Sequence, residues 1–130
     1  MGQGLEWMTV LVDTSVWIRF LSNRTPYAPE LDRLLSRDEV SGHAFVHGEL
    51  LVGDPGRRRQ LLADYDQMHQ APVVPHHEVV AFVRERRLHG RGVGLIDVHL
   101  LASALVGRLQ LWTADPRLTI VARELGIAYE

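Results

Sequence analysis

A chain of 130 residues, 46% of them hydrophobic, is enough for one compact domain with a real interior. It has no cysteine, which excludes disulfides and thiolate metal sites and leaves oxygen or imidazole as the only metal ligands. The formal charge of −2 announces no nucleic-acid binder, and all 14 basic residues are arginine, which excludes lysine Schiff bases and the lysine of the phosphate-binding loop.

The elements follow in order. Residues 9–12 (Thr9-Val10-Leu11-Val12) predict a short strand. A helix opens at once over 14–21, with Val16, Trp17, Phe20 and Leu21 on one stripe, and the Ser22-Asn23-Arg24-Thr25-Pro26 run breaks it. A second helix spans 29–36 through Leu31, Leu34 and Leu35. A weak strand at 39–41 leads to a helix over 44–52, closed by Gly53. From Pro55 a polar amphipathic helix runs to about His69, and 71–74 reads as another strand. A helix over 76–88, a glycine-rich loop over 90–94, and a strongly apolar helix over 95–106 come next. A buried strand at 109–113 precedes a last helix over 116–125, capped by Gly126, and 127–129 could add an edge strand. Strands alternating with helices predict an α/β fold with a mainly parallel sheet, whose ligand sites lie beyond the carboxyl ends of the strands. No apolar run is long enough to span a membrane, and residues 1–7 lack the basic and apolar segments of a secretion signal. A cytoplasmic location is therefore expected.

Four acids stand out. Asp13 directly follows the first strand and suits a helix N-cap, yet Thr14 and Ser15 could cap equally, so its charge is open to function. Asp115 precedes Pro116, a favoured first helical residue, and capping is the plain reading there. One carboxylate oxygen can cap while the other meets a metal. Glu49 falls four residues after Phe45 and three after Val46, beside an apolar face, where a carboxylate is costly unless paired or metal-bound. A surface position is its alternative. Asp97 shares a helical face with Leu100, Leu101, Ala104 and Leu105, has no arginine at helical spacing, and sits in a first turn where the helix dipole favours its charge. If the strands before Asp13 and Asp115 are neighbours, both meet in one crevice, with Glu49 and Asp97 entering from the flanks. Such crowding raises carboxylate pKa values, and a divalent cation resolves it. Oxygen-only ligands select Mg²⁺ or Mn²⁺.

The runs Val10-Leu11-Val12-Asp13-Thr14-Ser15-Val16-Trp17, Gly48-Glu49-Leu50-Leu51-Val52-Gly53, Gly94-Leu95-Ile96-Asp97-Val98-His99-Leu100-Leu101-Ala102-Ser103-Ala104 and Leu111-Trp112-Thr113-Ala114-Asp115-Pro116 match a known pattern in order and spacing. Over about residues 9–130 the chain resembles the PIN-domain nucleases, and within them the VapC-like toxins of type II toxin–antitoxin (VapBC) pairs. The resemblance implies a three-layer α/β/α domain in which Asp13, Glu49, Asp97 and Asp115 are the catalytic acids and hold Mg²⁺ (or Mn²⁺). Asp13 and Asp97 would hold one ion, and Asp115 and Glu49 would complete its shell or hold a second. Thr14 and Thr113 match supporting hydroxyl positions. It further implies hydrolysis of RNA by metal-activated water, a homodimer, and a VapB-like antitoxin as partner. Leu118 departs from the pattern, standing where an aromatic residue is frequent. Residues 1–8 precede the resemblance and are read as an N-terminal extension or the remnant of a tag.

Arg57, Arg58 and Arg59, with Arg84, Arg86 and Arg87, are candidate contacts to the RNA backbone, against the alternative of solvated helix faces. The seven histidines are scattered and read as surface or satisfied core residues rather than zinc ligands, and Trp17 and Trp112 as core. Leu31, Leu34 and Leu35 with Val16 and Phe20 would line an apolar groove for an antitoxin helix, or else belong to the core or a dimer interface. A phosphoaspartate receiver needs a lysine that is absent, and a haloacid-dehalogenase phosphatase needs Asp-x-Asp where this chain has Asp13-Thr14-Ser15. The remaining rival is a non-catalytic PIN-like module that grips RNA or protein. Retention of all four acids speaks against it.

Overall fold

The computed structural model describes residues 9–53 and 59–130; the expected extension over 1–8, and Arg57 and Arg58, lie outside them. The elements are β1 (Val10–Val12), α1 (Thr14–Leu21), α2 (Tyr27–Ser36), β2 (Val40–Gly42), α3 (Ala44–Val52), α4 (Arg59–Tyr65), β3 (His69–Gln70), α5 (His76–Arg86), α6 (Leu95–Gly107), β4 (Gln110–Trp112) and α7 (Pro116–Glu124). The sheet has the order β3-β2-β1-β4 and every pairing is parallel, with Val10 beside Val40 on one side and Gln110 on the other. Parallel neighbours cannot be joined by hairpins, so helices fill the crossovers. β1 is apolar at each of its three positions and wholly shut from solvent, which demands helices over both faces. The result is the expected three-layer α/β/α domain.

The chain steps from β1 outward through β2 to β3, then returns to lay β4 on the other side of β1. That reversal opens a crevice beyond the carboxyl ends of β1 and β4, the place where α/β sheets of this kind bind ligands. Trp17, Tyr65, Leu31, Leu34, Leu100, Leu101, Leu111 and Leu118 are the largest side chains sealed in the interior, and Trp112 is 9% exposed. Trp17 and Trp112 are core, as expected. Each buried leucine contributes roughly 1.5–3 kcal/mol.

Four details differ from the sequence reading. Val16, Leu31 and Leu34 are sealed inside, with Phe20 and Leu35 packed against them, so this set forms core and not an open groove. The stripes of α1 and α2 face each other and close. The expected strand at 71–74 is replaced by β3 at His69–Gln70. Ala71 N–H makes the last bond of that ladder, to Gly42 O at 2.8 Å, and Pro72 has no N–H to continue it. The helix expected to reach His69 accordingly stops at Tyr65. The edge strand at 127–129 shrinks to a single parallel bridge between Leu111 and Ala128. Among the described residues no helix is long and apolar enough to cross a membrane.

Candidate active site

Asp13 stands where β1 stops, and its N–H donates to Trp112 O at 2.9 Å, tying it to the end of β4. Asp13 is only 6% exposed. Oδ1 accepts from Thr14 N–H at 2.8 Å, and Oδ2 accepts from the hydroxyls of Ser15 at 2.7 Å and Thr113 at 2.8 Å. A carboxylate offers about four lone-pair sites. Three neutral donors therefore fix the Asp13 carboxylate and leave one site for a further partner.

The two hydroxyls also accept. Ser15 Oγ takes the Ala114 N–H at 3.0 Å, and Thr113 Oγ1 takes the Asp115 N–H at 3.1 Å. The start of α1 is thereby laced to the loop after β4, which carries Asp115. Asp115 Oδ1 accepts from Arg117 N–H at 2.9 Å, capping α7 with Pro116 at its first position. The cap reading is borne out. Its second oxygen takes no donor among the described residues, so the two roles are compatible.

Glu49, exposed on α3, is brought to the same place by Thr14, whose hydroxyl donates to Glu49 Oε1 at 2.6 Å. Asp97 lies half-buried in the first turn of α6 and reaches back to Gly94 N–H at 2.8 Å. Burial pushes its carboxyl pKa above the ordinary value; the Gly94 bond opposes this, and the negative charges of Asp13, Asp115 and Glu49 push it up further. Asp97 thus lies within electrostatic range of the other three acids.

Among the described residues no three histidine, aspartate or glutamate side chains stand close enough to cage an ion on protein atoms alone. The donor set nevertheless fits a hard cation that keeps several waters and takes only one or two carboxylates directly, which is the habit of Mg²⁺. The crowding of four acids supplies the reason to bind one.

Thr14 and Thr113 both bond to the acids. Ser15 was missed as a member of this network; its signal was the hydroxyl two residues after Asp13 at a helix start. Arg59 is exposed at the start of α4 and makes no hydrogen bond or ion pair with any of the four acids. His43 is a satisfied core histidine. Its Nδ1 accepts from Phe45 N–H at 3.0 Å, and its Nε2 lies 2.9 Å from Ser103 Oγ. Burial holds its pKa down at about 4.

The sequence matches the PIN domain family over residues 10–124, a span that contains all four acids. The chain belongs to the PIN-domain family. Two similar proteins, each called Ribonuclease VapC32, come from Mycobacterium tuberculosis strains CDC 1551 / Oshkosh and ATCC 25618 / H37Rv. Each is 46% identical over 120 residues, covering 92% of this chain and 94% of the relative. This PIN domain is therefore VapC-like, and the similarity takes in both the sheet and the crevice at its switch point.

Proposed function

We propose that this PIN domain is an endoribonuclease, the toxin of a toxin–antitoxin pair, and hydrolyses RNA phosphodiester bonds with Mg²⁺ (or Mn²⁺) held by Asp13, Glu49, Asp97 and Asp115. The reading is carried by one observation: Asp13 and Asp115 follow adjacent parallel strands, and Glu49 and Asp97 join them at the same crevice. The relative's name, Ribonuclease VapC32, supports the choice of RNA. Bound there, the ion supplies an activated water and neutralises charge developing on the phosphate. The chain's own residues set up the rest. Ser15 and Thr113 hold Asp13 in place, Thr14 aims Glu49, and Gly94 orients Asp97. No protein nucleophile is required, in keeping with the absence of cysteine and lysine.

In the cell we place the protein in the cytoplasm, as a homodimer restrained by a VapB-like antitoxin. Arg57, Arg58 and Arg59 remain candidates for RNA backbone contacts. Purified protein is expected to cut single-stranded RNA in Mg²⁺ and to stop in EDTA. Asp13→Asn or Asp97→Asn should lower cleavage to below about one hundredth while circular dichroism stays native. Cleavage that survives either substitution, or a protein that holds RNA in Mg²⁺ and leaves it intact, rejects the assignment.

A further inference from the structure

Next to the acids, α3, the segment entering α5 and the start of α6 surround an open cavity of about 810 Å³. Ligand sites commonly occupy roughly 300–1,000 Å³ and are mostly apolar with a few polar groups. Glu49 lines this cavity as well as bonding Thr14, so the cavity runs directly into the acid crevice. Its wall carries three rings. Phe45 and His99 meet edge to face with centroids 4.8 Å apart, and His76 lies nearly parallel to His99 at 6.1 Å. Val73 and Leu95 beside them are 50% and 59% exposed, an apolar surface that no packing within the described residues uses. His99 itself is 4% exposed, and its Nδ1 is buried without a hydrogen-bond partner among the described residues. Buried polar atoms are nearly always paired.

We propose that this cavity is a nucleobase subsite, taking the base that adjoins the phosphate to be cut, with His76 and Phe45 as stacking surfaces and His99 as its polar contact. The proposal rests on the ribonuclease reading of the neighbouring acids. A base needs a flat apolar slot with one or two polar groups at its rim, whereas the phosphate it carries needs the charged crevice. Both requirements are met side by side here. The cavity wall among the described residues includes no arginine, so it suits the base and not the phosphate. Bases of single-stranded RNA are recognised this way, splayed out and stacked on aromatic rings, histidine among them.

The test uses a short single-stranded RNA in which one base is replaced by a fluorescent purine analogue, bound in Ca²⁺ and cut in Mg²⁺. Binding should quench the analogue next to the cut. His76→Ala and Val73→Glu, both at exposed positions, should each weaken binding and raise KM by about tenfold, the scale of one lost stacking contact, with a smaller effect on kcat. An abasic RNA should show the same loss with the wild-type protein. His99→Phe keeps the ring and should change which base is preferred beside the cut. Equal quenching, affinity and KM across wild type, His76→Ala and Val73→Glu overturn the proposal. So does an abasic RNA that binds as tightly as the intact one while Val73→Glu abolishes self-association or antitoxin binding, because a protein then covers the cavity. Undiminished cleavage by Asp13→Asn, by contrast, removes the ribonuclease reading and leaves the base-binding measurements to stand or fall separately.

Discussion

The side chain that concentrates most constraint is Ser15. Its hydroxyl spends its proton on Asp13 Oδ2 and receives Ala114 N–H, so one small residue serves both the acid and the backbone of the facing loop. Ser15→Ala removes a bond to a charged acceptor and leaves a backbone donor unpaired, costing about 1–3 kcal/mol. RNA cleavage is expected to fall about tenfold, with Ser15→Thr retaining most of it; a chemical-denaturation curve and a rate measurement check the two parts. His43 supplies a pH dependence. Its folded pKa of about 4 lies below its ordinary value of 6.5, because charging it in the core is unfavourable. The unfolded chain thus binds a proton between those values that the folded chain refuses. Stability is fully present above about pH 6.5 and declines as pH falls toward 4, by up to about 3 kcal/mol. In His43→Gln, this part of the acid-side slope in midpoint against pH should disappear.

Between elements, one tight junction is where β2 hands over to α3. A Cβ built on Gly42 would come within 2.9 Å of the Tyr65 ring, which is sealed in the core at the end of α4. The Tyr65 hydroxyl in turn accepts from His43 N–H at 2.9 Å, so shifting the ring disturbs the entry to the helix that carries Glu49. Gly42→Ala should therefore lose about 1–3 kcal/mol through overpacking, read as a lower thermal midpoint. Val46 and Leu50 lie on the buried face of α3, while Glu49 stays exposed toward the crevice. Helical spacing separates these faces without any special device.

Across the whole molecule, the proposed role of four acids at one crevice sets function against stability. Without a cation their mutual repulsion and the burial of Asp97 oppose the folded state. On the proposed reading Mg²⁺ binds the folded form alone and should raise the melting temperature of the wild type, by about 2.7 kcal/mol of stability at a hundredfold excess over Kd. An Asp97→Asn variant, which keeps an oxygen for the Gly94 N–H, should melt higher than the wild type in EDTA and gain little from Mg²⁺. Calorimetric scans with and without the metal decide this, and the reverse order of melting temperatures would sink the idea of a strained acid centre.

Periodicity and end signals were sufficient for several of the helices. The helices over 14–21 and 44–52 have the expected limits because apolar spacing and Gly53 mark them, and Asp13 takes the cap for which Thr14 and Ser15 were also candidates. Each of the four acids was also visible from its own neighbourhood, as a charge beside an apolar stripe or at a strand end. Where propensity and pairing disagreed, as over 69–74, the partner strand decided, since a two-residue ladder is set by Gly42 and Pro72 and not by β-rich composition. Strand order, the bonds from Ser15 to a loop nearly one hundred residues away, the closure of α1 onto α2 and the cavity beside Glu49 came only with the tertiary structure. Periodicity reports which face of an element is apolar, whereas these features depend on which element that face meets, and that is settled only when the chain packs as a whole.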